Sequence, residues 1–183
     1  MPFRLSKLLL ALATFTCCLS LPAKDITSAW FADGKFLEES DSQRMTNGFG
    51  GRLDFTTDPD FINTWRQHWN SVSTINRTNG VYIVLFVACK YEVEDQDSVY
   101  DLVIKRPDGS VCNSFTNLPA VKQHLTLATV LPDAKPTLKL SPKFVVFQID
   151  PPDPTGTYTV EVELRDRLKG TRVKLKKELL VNK

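Results

Sequence analysis

The sequence predicts an all-β protein: an immunoglobulin-like antiparallel β-sandwich of about seven strands, with one short helix near residues 59–69. Three observations carry this. Between residues 50 and 181, apolar residues recur at alternate positions in short runs, as they do in strands with one face buried. Pro- and Gly-containing turns separate the runs, notably Arg106-Pro107-Asp108-Gly109-Ser110 and Asp150-Pro151-Pro152-Asp153-Pro154-Thr155-Gly156. Little of the remainder repeats at the helical period. A strand that is apolar on one side is satisfied when two stacked sheets bury those sides against each other, which is what a sandwich does.

The amino terminus precedes this domain. Arg4 and Lys7 stand before an apolar stretch from Leu8 to Phe15, and a further eight residues end on the small Ala23, the layout of a secretory signal peptide cleaved after Ala23. A spanning helix needs roughly 20 apolar residues, more than this core offers. Lipid attachment at Cys17 is the lesser alternative, because Phe15 sits badly in a lipid-modification box. The expected location is periplasmic or secreted, with no transmembrane segment after cleavage. The first 23 residues hold two of the 23 Lys+Arg and none of the 21 Asp+Glu, so the remainder is neutral. Neutrality argues against a nucleic-acid partner, which needs an uncompensated basic surface. Residues 24–48 are polar and turn-rich and read as a poorly ordered lead, with Trp30, Phe31, Phe36 and Leu37 as its only anchors. The sandwich itself is expected over 49–183.

Within the domain, Leu53 and Phe55 alternate with Arg52, Asp54 and Thr56, which describes a half-buried strand. Asp58 and Pro59 then suit the start of a helix that sets Phe61, Trp65 and Trp69 on one face. The apolar run Val81–Ala88 reads as the central core strand. An acidic loop, Glu92 to Asp97, leads to a strand over 99–105, and the Pro-Asp-Gly turn returns the chain as a strand over 111–115. Prolines weaken the pattern between Asn117 and Pro142, giving a long connection with a short strand at 137–140. Strands follow over 144–149, 157–166 and 171–181, the second with Tyr158, Val160, Val162 and Leu164 on one face.

Three of these runs resemble, in their order, a widespread family of small exported proteobacterial proteins built on one immunoglobulin-like sandwich domain. They are Gly51-Arg52-Leu53 with Phe61 and Trp65 following; Val103-Ile104-Lys105-Arg106-Pro107-Asp108-Gly109-Ser110-Val111; and Asp153-Pro154-Thr155-Gly156-Thr157-Tyr158-Thr159-Val160 with Asp166 after it. The resemblance covers nearly all of 50–181. It implies export and the sandwich, and it carries over no active site, since these motifs are turns and strand entries.

Catalysis fails on inventory. His68 and His124 carry no recognisable motif and read as surface or packing residues. The pairs Glu92/Glu94 and Asp95/Asp97 lie in a loop with no pocket to separate their pKa values, and they match no calcium loop. Cys89 and Cys112 are expected near opposite ends of the sandwich, too far apart for a disulfide, and with the two histidines they show no metal-ligand spacing. No motif calls for a cofactor. Two surfaces remain as interaction candidates. Phe61, Trp65 and Trp69 form either an exposed platform for sugar rings or, the favoured reading, core that plugs one end of the sandwich. Arg172, Lys174 and Lys176 share the polar face of the last strand, suiting a solvated side, a charge-protected edge, or an acidic envelope polymer. The expected function is a non-catalytic binding module of the bacterial envelope that engages a protein or a glycan. The alternatives are an accessory structural subunit and, more distantly, a hydrolase.

Overall fold

The alternation of apolar residues sorts most of the chain into two five-stranded sheets, beside a two-stranded hairpin near the start of the described residues. The computed structural model describes residues 26–89, 96–123 and 137–183. A 3-10 turn, Ile26–Ala29, leads into the short strands β1 (Phe31–Ala32) and β2 (Lys35–Phe36). Then come β3 (Gln43–Thr46), β4 (Phe49–Thr56), the one-turn helix α1 (Phe61–Thr64), β5 (Thr74–Asn76), β6 (Val81–Cys89) and β7 (Gln96–Lys105). The series ends with β8 (Val111–Gln123), β9 (Thr137–Leu140), β10 (Val145–Phe147), β11 (Gly156–Asp166) and β12 (Arg172–Asn182).

One sheet runs β10–β6–β4–β3, with β9 pairing farther along the same edge of β6 as β10. The other runs β5–β12–β11–β7–β8, and every pairing in the two sheets is antiparallel except that of β5 with the end of β12. The chain thus lays β4 and β6 in the first sheet, crosses to β7 and β8, returns with β9 and β10, and crosses again to β11 and β12. At the last crossing the fully buried Tyr158, near the start of β11, donates its hydroxyl to the Pro154 carbonyl at 2.7 Å. Exchange between two antiparallel sheets, locked by a tyrosine corner at this strand, makes the sandwich immunoglobulin-like. The turns behave as their residues require: Gly109 (φ +84°) closes the β7–β8 hairpin, with the Gly109 amide donating to Arg106 at 2.9 Å.

Between the sheets lies the main core, to which Leu53, Phe55, Leu85, Tyr100, Leu102, Ile104, Val160, Leu164 and Leu179 contribute fully buried side chains. A second core lies outside the first sheet. Because β6 is apolar without interruption, Val84, Phe86 and Ala88 point away from the first core, and Phe31, Phe36, Phe61, Trp65, Trp69 and Leu138 cover them. Edge-to-face contacts knit this layer, with ring centroids 4.9 Å apart for Trp69–Phe86 and 5.5 Å for Trp30–Phe86.

Several expectations change. Residues 26–48 are not a poorly ordered lead: the four aromatics and aliphatics that could anchor them include Phe31 and Phe36, which are buried, and β3 hydrogen-bonds along β4. The helix spans only Phe61–Thr64, because the Asp58 carboxylate takes the Asp60 amide (2.9 Å) in a turn that delays its start, and Trp69 lies beyond its end. β8 continues through Pro119 to Gln123; as the outermost strand of its sheet it tolerates a residue without an N–H. Asp54 and Thr56, read as the solvated side of β4, are both fully buried, since the aromatic layer covers that face too. The expected signal peptide, the loop residues Glu92, Glu94 and Asp95, and His124 lie outside the described residues.

Candidate functional site

The structure separates the two candidate surfaces. Phe61, Trp65 and Trp69 are 1%, 8% and 8% exposed, so they form no platform. They do not plug an end of the sandwich either; they roof the outer face of β6. Arg172, Lys174 and Lys176 are exposed on the outer face of the β5–β12–β11–β7–β8 sheet, alternating with the inward Val173 and Leu175.

That face is built by strand period. On β7, Asp101, Val103 and Lys105 point outward; on β11, Glu161, Glu163 and Arg165 do. In register, Glu163 stands between Asp101 and Lys174, and Glu161 between Val103 and Lys176. Two acids side by side, Glu163 and Asp101, would repel. Arg165 resolves this by taking Asp101 with both guanidinium nitrogens (2.6 and 2.8 Å), and Arg172 takes Glu163 at 3.1 Å. Burial alone would raise the Asp101 carboxyl, but the Asn117 amide and Arg165 outweigh it and hold it below the usual range. Lys105 pairs with Glu161 at 2.8 Å, and Lys176 with Glu178 at 3.0 Å, which raises the Lys176 ammonium. Lys174 is left without an ion-pair or hydrogen-bond partner among the described residues. These strands and the Asp41–Arg44 segment line a groove of about 550 Å³. Its floor carries charges of both signs and no aromatic ring, so it offers a patterned polar surface and not a stacking site for sugars.

A second polar cluster was not anticipated. The Asp54 carboxylate, fully buried, accepts from Arg52 Nη2 (2.7 Å) and Nε (3.1 Å), the Trp69 indole (2.9 Å), Ser71 Oγ (2.5 Å), the Phe55 amide (2.9 Å) and Lys177 Nζ. Burial by itself would raise this carboxyl; the charges of Lys177 and Arg52 and the hydrogen bonds from Lys177 and Ser71 together bring it below its ordinary value. Arg52 also lies over the Trp30 ring, 4.2 Å from its centroid. The groups that donate to Asp54 thereby hold the aromatic layer and β12 to β4. Period-two patterning could not distinguish this covered face from a wet one.

The remaining candidates are dispersed. His68 is exposed after α1, and Asp97 at the start of β7 pairs loosely with Arg167 at 3.9 Å. Cys89 and Cys112 are free; Cys89 is buried near Asp166 and Cys112 lies near Tyr158, positions some 25 Å apart along β11 at about 3.3 Å per residue. Among the described residues no helix is long and apolar enough to cross a membrane.

No family model matches the chain, and no curated protein matches it. Solved structures are similar at a distance. The C-terminal domain of wzt is 11% identical, with a TM-score of 0.44 over 89% of this chain and 90% of that one. The CARDB domain of the PF1109 protein from Pyrococcus furiosus, in complex with di-metal ions, is 6% identical, with a TM-score of 0.38 over 79% and 98%. An immunoglobulin-like protein (PA1606) from Pseudomonas aeruginosa is 11% identical, with a TM-score of 0.31 over 76% and 96%. At these scores they add nothing to the strand order and the Tyr158 corner.

Proposed function

We propose that the chain is a non-catalytic interaction module of the bacterial envelope, exported by its first 23 residues, that docks a protein partner on the outer face of β7, β11 and β12. The observation that carries this is the contrast between the two outer faces. Aromatic rings seal the face of β6, whereas the opposite face holds a groove lined in part by Lys174, which has no partner among the described residues. A surface of alternating sign fits a protein of complementary pattern. An acidic polymer would meet Asp101, Glu161 and Glu163 in the same groove, and a glycan would find no exposed ring there. Export and membership in the family of small exported proteobacterial proteins belong to this proposal; the basic start, apolar middle and closing Ala23 of the first 23 positions support export, and the three runs at 51–65, 103–111 and 153–166 support the family.

The test has two parts. The product expressed from the full chain should be recovered outside the cytoplasm with Lys24 as its first residue. Capture of a partner from an envelope fraction should be salt-sensitive and lost on Lys174→Glu/Lys176→Glu. Retention on a glycan array instead of a protein, or turnover of an ester, peptide or glycoside that disappears in His68→Ala or His124→Ala, refutes it.

A further inference from the structure

Edge strands expose unpaired backbone groups, and most edges here are blunted. β3 and β5 are four and three residues long, β9 carries Lys139, and the stretch of β12 before its pairing with β5 carries Arg172, Lys174, Lys176 and Lys177, with the Lys176 amide already donating to the Asp41 carbonyl at 2.7 Å. β8 differs. It is 13 residues long, has β7 on one side and no described strand on the other, and bears no charged residue from Val111 to Val121.

The core is also less covered along the first part of this edge, before the buried Ala120 and Val121. Tyr100, Leu102 and Ile104 of the neighbouring β7 are at most 1% exposed, yet Cys112, Phe115 and Leu118 of β8 are only partly buried against the same core. Register shifts between Tyr100 and Leu102, and between Ile104 and Lys105, bracket a regular run at Asn113–Phe115. Along that run Asn113 and Ser114 are exposed.

We infer that β8 is a self-association edge, to which a second copy of the chain adds its own β8 antiparallel about a twofold axis near Ser114. A twofold contact sets each surface against itself, so it tolerates no stripe of one sign. Uncharged β8 meets that condition; β12 would oppose lysine and arginine to lysine and arginine. With the axis at Ser114, Asn113 lies opposite Phe115 of the second copy. The two Phe115 rings become diagonal neighbours at a spacing of roughly 7–8 Å, and each covers the other's open margin. Because the bulges keep the seam short, association is reversible and depends on concentration.

The test is sedimentation of the purified chain through a dilution series, read with amide exchange. The expected result is a monomer–dimer equilibrium in which amides of residues 113–116 gain protection as concentration rises. Ser114→Lys/Thr116→Lys, at two exposed positions, should weaken the dimer by at least about tenfold by opposing like charges, and Lys174→Glu/Lys176→Glu should leave it intact. A chain that stays monomeric at every concentration overturns the inference. So does a dimer indifferent to Ser114→Lys/Thr116→Lys, or protection in β8 that does not change with concentration. None of these outcomes bears on partner capture through β12.

Discussion

Asp54 is the strongest point at which to test this account, because so many groups converge on one buried carboxylate. Asp54→Ala removes the acceptor from Lys177, Arg52, the Trp69 indole and Ser71. Removing one partner of a buried pair costs about 3–5 kcal/mol. The Lys177 and Arg52 side chains are each 17% exposed and reach water, which favours the lower end of that range. Trp69 Nε1 sits on a side chain only 8% exposed and keeps no substitute acceptor, adding a penalty of about 1 kcal/mol or more. The expected loss is therefore about 4 kcal/mol, a fall in melting temperature of about 10 °C for a chain of this size. Asp54→Asn keeps an acceptor but not the charge and should lose about half as much.

Denaturant unfolding monitored by tryptophan fluorescence is the assay, with Lys177→Met and the double variant completing a cycle. The pH dependence has a definite sign. The native carboxyl lies below its ordinary 3.8, so its contribution is complete above that value and declines as pH falls through the native pKa. The advantage of the wild type over Asp54→Asn should hold at neutral pH and shrink in acid. Equal stability of wild type and Asp54→Ala, within about 1 kcal/mol, refutes the reasoning. So does an advantage that grows in acid.

Three further outcomes follow from single contacts. Tyr158→Phe should lower stability by about 1 kcal/mol through loss of the 2.7 Å bond to Pro154, measurable by denaturant midpoint. Gly50→Ala should cost about 2 kcal/mol or more in the same assay, because the new Cβ overlaps the Arg44 carbonyl and Met45 across the β3–β4 hairpin. Under native conditions a thiol reagent should label Cys112 and spare Cys89, whose thiol burial pushes up to about 11; fast labelling of Cys89, read by mass spectrometry, contradicts its placement.

How far the sequence could be read depended on distance along the chain. Tyr158, Val160, Val162 and Leu164 declared one buried face because alternation is local, and the Pro-Asp-Gly turn declared its hairpin through the positive φ at Gly109. The unbroken apolar run of β6 announced two buried faces, but what covers the second is set by residues 31–36 and 61–69, which pattern alone could not pair with it. Asp54 failed for the same reason: alternation marks it as facing away from Leu53, and only the arrival of Trp69 and of Lys177 makes that side dry. Among the candidate residues, Arg172, Lys174 and Lys176 were placed correctly as a solvent face because Val173 and Leu175 fix the parity of their strand. The acid that takes Arg172, Glu163, sits on β11, and its proximity is a matter of register; Lys176 finds its acid, Glu178, two residues on along its own strand.

These separations have a mechanical consequence. The two cores and the Asp54 cluster tie both sheets together, while the outer face of β7, β11 and β12 contributes ion pairs between partly exposed groups, each of the order of 0–1 kcal/mol. That face can accordingly change its charge pattern with little effect on folding. Lys174 illustrates it: it has no partner among the described residues, and its reversal to Glu should leave the melting temperature nearly unchanged. If Lys174→Glu/Lys176→Glu instead melts the domain, the face is part of the scaffold, and loss of binding in that variant says nothing about recognition. Unchanged melting with lost capture is the combination that assigns the groove to a partner.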